Sequence, residues 1–171
     1  MSRRTTTCVS SSRITSLIRE RMEFVLRRTY RKEDVIGGIL LVDGEPLCDT
    51  LEEASTALAP GMYPIERAYC LSQQRFVPLI RTGRRLPCAR CPKCASEGLN
   101  VRLPVRCPQL RAGNGAHCRR DGTLLVGHCS REEGEPLRGL LLHPKSTFTL
   151  LNDRLRKAVS RGEAWRLRVE G

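Results

Sequence analysis

The sequence predicts an α+β fold that is mostly β. It would be a compact antiparallel or mixed sheet, or a barrel-like core, with one C-terminal helix and a cysteine-rich loop insert. Three observations predict it. Short apolar strand patterns recur between turn pairs such as Asp43-Gly44 and Pro60-Gly61. One stretch near the C-terminus repeats its apolar residues at helical spacing. Between these, residues 78–122 carry Gly, Pro and Cys with little periodicity.

Each element has its own warrant. Residues 1–21 are rich in Ser, Thr and Arg and read as a disordered tail, or as a mis-assigned start with Met22 the true one. The remaining residues, 22–171, form a single β-rich domain, with the insert at about 81–120. Phe24, Leu26 and Tyr30 share one parity of a first strand. Val35 to Val42 is an apolar second strand, and Asp43-Gly44 turns it into a third at Leu47 to Leu51, because both turn residues tolerate positive φ. Tyr63 to Leu71 follows Pro60-Gly61 as a strand. Asp121-Gly122 turns into Leu124-Leu125-Val126, and Gly139 to Leu142 is a further short strand. Ser146 is expected to cap a helix carrying Phe148, Leu151, Leu155 and Val159 on its buried face, with Gly162 at its stop. Trp165, Leu167 and Val169 alternate with Arg166 and Arg168 in a last strand.

Charge is unevenly placed. The chain of 171 residues has a formal net charge of +12. Residues 67–120 hold twelve basic groups against the single acid Glu97, and six of the nine cysteines. A stripe of that density suits an anionic partner, whereas the excess of Arg over Lys, 26 to 4, also fits scattered solvated side chains. Aromatics are 4% of the chain, too few for a stacking platform for single-stranded nucleic acid. No apolar run approaches the roughly 18–20 residues of a membrane span, and no apolar segment follows the basic start. The expectation is a cytoplasmic protein without a membrane partner.

The cysteines carry the sharpest local chemistry. Cys88, Cys91 and Cys94 are spaced by two residues each, and Cys91-Pro92-Lys93-Cys94 has the spacing of a zinc knuckle. A tight turn of that kind brings two thiolates to adjacent corners of a tetrahedron. Cys107 can close the site, with His117 or Cys118 as a substitute ligand. Such a site would be structural Zn2+, with no open coordination position for catalysis. An iron–sulfur cluster would want a fourth Cys at position 98, which is Gly98. The pairs His117-Cys118 and His128-Cys129 flank the Asp121-Gly122 turn and could lie on adjacent strands. Cys48 and Cys70 fall in strand patterns and read as small buried hydrophobes.

Four stretches together carry a family resemblance: Thr50-Leu51-Glu52-Glu53, Gly61-Met62-Tyr63-Pro64, Gly113-Asn114, and Gly122-Thr123-Leu124-Leu125-Val126-Gly127. Their order and spacing resemble a bacterial and phage domain family of unknown function. Its pattern is Thr-Leu-Glu-Asp, Gly-x-Tyr-Pro, Ile-His-x-Gly-Asn and Gly-Cys-Ile-Leu-Val-Gly. The resemblance implies a β-rich fold and no established activity. By analogy, the family's His and Cys look like those of L,D-transpeptidase-like enzymes. Here Arg111 stands at the His position and Thr123 at the Cys position. Arginine is no base near neutral pH, and an unassisted threonine hydroxyl is a poor nucleophile. No catalytic residue is therefore assigned.

The expected function is a non-enzymatic domain of phage or mobile-element type, structural or interacting, and stabilised by zinc. The alternative is a thiol enzyme acting on cell-wall peptide or another acyl substrate. It would pair Cys118 or Cys129 with a His on a neighbouring strand, such as His117 with Cys129. A third reading is a basic, zinc-containing nucleic-acid binder.

Overall fold

The computed structural model describes residues 21–70, 75–82, 108–115, 118, 122–132 and 135–171, with the backbone alone for 68–70, 130–132 and 135–139. The strands are β1 (Arg21–Lys32), β2 (Val35–Val42), β3 (Glu45–Glu53), β4 (Gly61–Cys70), β5 (Arg75–Ile80), β6 (Leu110–Ala112), β7 (Leu124–Glu132) and β8 (Glu135–Leu142). Helix α1 (Pro144–Ser160) and β9 (Ala164–Glu170) complete the chain. The α+β, mostly β architecture with a single C-terminal helix is what the sequence predicts.

Hydrogen bonding orders the strands β5-β4-β9-β1-β2-β3-β7-β6. The two ends of that path meet. Leu79 bridges Gln109, and the Ile80 N–H donates to the Pro108 carbonyl at 2.7 Å. The sheet therefore rolls into a nearly closed barrel, which leaves few unpaired edges. Two pairings are parallel, β1 with β9 and β6 with β7. β8 pairs only with β7 among the described strands.

Side-chain alternation divides the apolar residues between two cores. The main core fills the barrel with Phe24, Leu26, Leu40, Ile65, Ile80, Leu110, Leu124, Val126, Trp165 and Leu167. The helix lays Phe148, Leu151, Leu155 and Ala158 onto it. A smaller core lies on the opposite face, where Leu141 of β8 packs with Val35, Leu51, Leu125 and Cys118. Gly127 lets β8 approach this closely. A Cβ there would stand 2.8 Å from the Leu141 Cβ and 2.9 Å from the Leu142 carbonyl oxygen.

Several local expectations need correction. The Phe24, Leu26, Tyr30 parity breaks, because the β1–β2 register shifts between Arg28 and Tyr30. The extra residue turns Tyr30 to the smaller core while Phe24 and Leu26 stay in the main one. The helix begins at Pro144, after a left-handed His143, rather than being capped by Ser146. Its buried face includes Ala158, and Val159 is 48% exposed. Strand β6 and the last three residues of β5 lie inside the stretch that reads as irregular, and β8 starts four residues before Gly139. Of the expected tail at 1–21, Arg21 opens β1 and the rest lies outside the described residues, as do most of the cysteine-rich insert, including Cys88, Cys91, Cys94 and Cys107, and His117.

Candidate functional site

The motif residues are bound into the architecture. In Thr50-Leu51-Glu52, alternation turns Thr50 and Glu52 toward the barrel interior and Leu51 to the smaller core. Glu52 is almost fully buried and receives two hydrogen bonds from Arg28, Nε at 2.9 Å and Nη2 at 3.0 Å. Nη2 also donates to the Leu58 carbonyl at 2.5 Å. A carboxylate taken this far out of water needs such a bidentate cation. β2 runs between the two partners, and the residue of β2 that faces both Arg28 and Thr50 is Gly38. A Cβ there would come within 3.2 Å of the Arg28 Cα and 3.1 Å of the Thr50 hydroxyl oxygen. The missing side chain thus helps open the span that the guanidinium crosses.

The Gly61-Met62-Tyr63-Pro64 stretch opens β4. The Tyr63 hydroxyl donates to the Ala59 carbonyl at 2.7 Å and closes the loop that precedes the strand. Asn114 clamps β8: its Oδ1 accepts the Leu141 N–H at 2.8 Å, and its Nδ2 donates to the Leu141 carbonyl. The side-chain amide thereby imitates one residue of a neighbouring strand. On β7, the N–H of Cys129 donates to the Asp49 carboxylate at 2.8 Å, just beyond the last β3–β7 pair. Each polar group here takes over a main-chain bond that the sheet leaves unmade.

The two positions that would carry acyl-transfer chemistry are differently placed. Arg111 is half-buried on β6, and Thr123 is buried immediately before β7. Of the candidate thiols, Cys118 does not lie on a strand beside Cys129, as the sequence suggests. It occupies a turn, with its N–H donating to the Gly115 carbonyl at 3.1 Å, and its side chain packs among Val35, Leu51, Leu125 and Leu141. Cys129 is half-buried on β7, and the adjacent His128 is exposed. Successive strand residues point to opposite faces, so these two form no dyad with each other. Cys48 is buried in the main core. Burial, then the charge of Asp49, pushes its thiol up to about 12, so it is no nucleophile at neutral pH. Among the described residues, no three His, Cys, Asp or Glu side chains gather as metal ligands. No described helix is long and apolar enough to cross a membrane.

Sequence reasoning missed the Arg28–Glu52 pair and the Asn114 clamp. The first carries half a signal: Arg28 keeps the inward parity of Phe24 and Leu26, but the apolar pair Leu47 and Leu51 sets the opposite parity on β3, so Glu52 reads from the sequence as outward. The clamp has no comparable signal, because its partner is a main-chain group 27 residues away.

No known protein family, curated protein or solved structure matches this chain.

Proposed function

We propose that this chain is a non-enzymatic domain of phage or mobile-element type, working by structure and interaction. The observation that carries the reading is the use made of the motif side chains. Glu52, Tyr63 and Asn114 spend their polar groups on holding strands and loops together. Arg111 and Thr123 supply neither a base nor an activated nucleophile, and Thr123 is buried. The basic segment 67–120 is the surface for an anionic partner. Cys88, Cys91, Cys94 and Cys107 hold one structural Zn2+, with His117 as the substitute ligand. Cys118, which the smaller core buries among apolar side chains, is the weaker substitute. Zinc would supply folding free energy to an insert poor in apolar residues. A reducing, cytoplasmic setting fits both the zinc thiolates and the free thiols Cys48, Cys118 and Cys129.

The test combines metal content with covalent probes. Protein purified without added metal should carry about one zinc per chain, and chelation should expose residues 83–107 to protease while the barrel, β6 included, persists. Acyl-donor and fluorophosphonate probes should leave Thr123 and the cysteines unlabelled. A metal-free protein with a protease-resistant insert would overturn the zinc assignment. Turnover of an acyl substrate, lost in Thr123→Ala or Cys129→Ala with the fold intact, would overturn the non-enzymatic reading.

A further inference from the structure

The segment that clamps β8 carries a second chemistry. Of the three asparagines in the chain, Asn114 alone precedes a glycine; Asn100 precedes Val101 and Asn152 precedes Asp153. In an Asn-Gly pair the glycine has no Cβ to shield its main-chain nitrogen, so that nitrogen can reach the asparagine's side-chain carbonyl carbon. The architecture requires both residues. Gly115 stands at φ 81°, in the left-handed region, and its carbonyl accepts the Cys118 N–H at 3.1 Å to shape the turn. Asn114 Oδ1 accepts the Leu141 N–H at 2.8 Å, and Nδ2 donates to the Leu141 carbonyl. A short side chain that both accepts and donates at one residue's main chain has to be an amide.

The same two bonds restrain that amide. While β8 is docked, both ends of the Asn114 amide are held on Leu141, and its Cγ cannot swing back onto the Gly115 nitrogen. Docking is anchored by Leu141, which is 1% exposed and packs with Val35, Leu51, Cys118 and Leu125. Yet β8 pairs only with β7 among the described strands, and the register of that pair shifts between Cys129 and Arg131. A strand with one neighbour and a broken ladder is the kind of element that opens locally while the rest of a fold persists.

We propose that Asn114-Gly115 is a deamidation site gated by β8, and that its reaction makes release of the strand one-way. When β8 leaves, the Gly115 main-chain nitrogen attacks the Asn114 side-chain carbonyl carbon. A new C–N bond closes a succinimide ring, the bond from that carbon to Nδ2 breaks, and Nδ2 departs as ammonia with the Gly115 proton. One water then opens either C–N bond of the ring, leaving aspartate or isoaspartate at position 114. Neither an oxidant nor a reductant is consumed. An ionised carboxylate accepts hydrogen bonds and donates none. It would set a negative oxygen against the Leu141 carbonyl that Nδ2 satisfies, and isoaspartate would also lengthen the main chain between β6 and the Cys118 turn. Both products oppose redocking.

The experiment incubates the full chain in mildly alkaline buffer. Peptide mass spectrometry and isoaspartyl methyltransferase labelling read conversion at Asn114 in the native chain, in urea and in Leu141→Ala. Two thiols report the state of the fold to iodoacetamide: Cys118 packs in the smaller core with Leu141, and Cys48 in the main core. Asn114 should convert at least about 10-fold more slowly in the native chain than in urea, because conversion waits on local opening. Leu141→Ala should convert at least about 10-fold faster than wild type, with Cys48 still protected. If that variant labels Cys48, it has unfolded as a whole, and wild type in urea below its midpoint takes its place; there conversion should rise together with Cys118 labelling while Cys48 stays protected. Asn114→Asp, which creates one product directly, should label Cys118 at least about 10-fold faster than wild type. Equal conversion in native and urea-treated chains, no conversion in urea, or a folded Leu141→Ala converting at the wild-type rate would each overturn the proposal. So would conversion below the midpoint only alongside Cys48 labelling, or unchanged Cys118 labelling in Asn114→Asp.

Discussion

Removing the guanidinium of Arg28 should be among the most damaging single changes in the barrel. Arg28→Ala deletes two hydrogen bonds to Glu52 and one to the Leu58 carbonyl. It leaves a carboxylate whose side chain is 2% exposed, with no cation beside it. An uncompensated buried charge of this kind costs about 3–5 kcal/mol. With a urea dependence of about 2 kcal/mol per molar, a loss of 4 kcal/mol lowers the unfolding midpoint by about 2 M. The proper comparison is Arg156→Ala, whose partner Asp153 is half-exposed and whose ion pair should contribute under about 1 kcal/mol. Equilibrium urea unfolding of Arg28→Ala, Glu52→Ala and the double variant closes a mutant cycle, and its coupling energy should exceed about 2 kcal/mol. Replacing both partners by apolar residues, Arg28→Met with Glu52→Leu, should recover most of the loss. An Arg28→Ala penalty no larger than that of Arg156→Ala would refute the reasoning, because it would mean that water reaches Glu52 freely.

Three further outcomes are expected. Leu155→Ala, at a fully buried position of the helix face, should cost about 2–5 kcal/mol in the same assay, whereas Val159→Ala should be close to neutral; the reverse order would mean the helix is rotated from the face described. The Cys48 thiol has its folded value raised from 9.0 to about 12, so the folded state holds its proton more tightly than the unfolded one. The contribution is fully present below pH 9 and is lost as pH rises toward 12, so stability should fall across that window and fall less in Cys48→Ala. Iodoacetamide should leave Cys48 unmodified in native protein at pH 8 and alkylate it in urea; rapid native labelling would contradict the burial.

Local pattern determined much of this protein. Alternating apolar residues and the Asp43-Gly44 turn define the β1–β2–β3 meander, because a hairpin needs only neighbouring residues and two positive φ values, here 50° and 89°. The C-terminal helix and strand were legible for the same reason. Closure of the barrel was not. It depends on parallel pairing of β1 with β9, strands more than a hundred residues apart, and on a bridge from Leu79 to Gln109 across the insert. Pro78 hides β5 by interrupting Phe76-Val77 and Leu79-Ile80, although the residues on either side of it favour a strand. One extra residue near Thr29 reverses the face of Tyr30, a change no parity count can anticipate, because the bulge is set by how β1 must coil around the core. The candidate site divides along the same line. Cysteine spacing is a local signal and is read directly. The Arg28–Glu52 pair and the Asn114 clamp exist only once separate segments meet, and only the tertiary structure decides them.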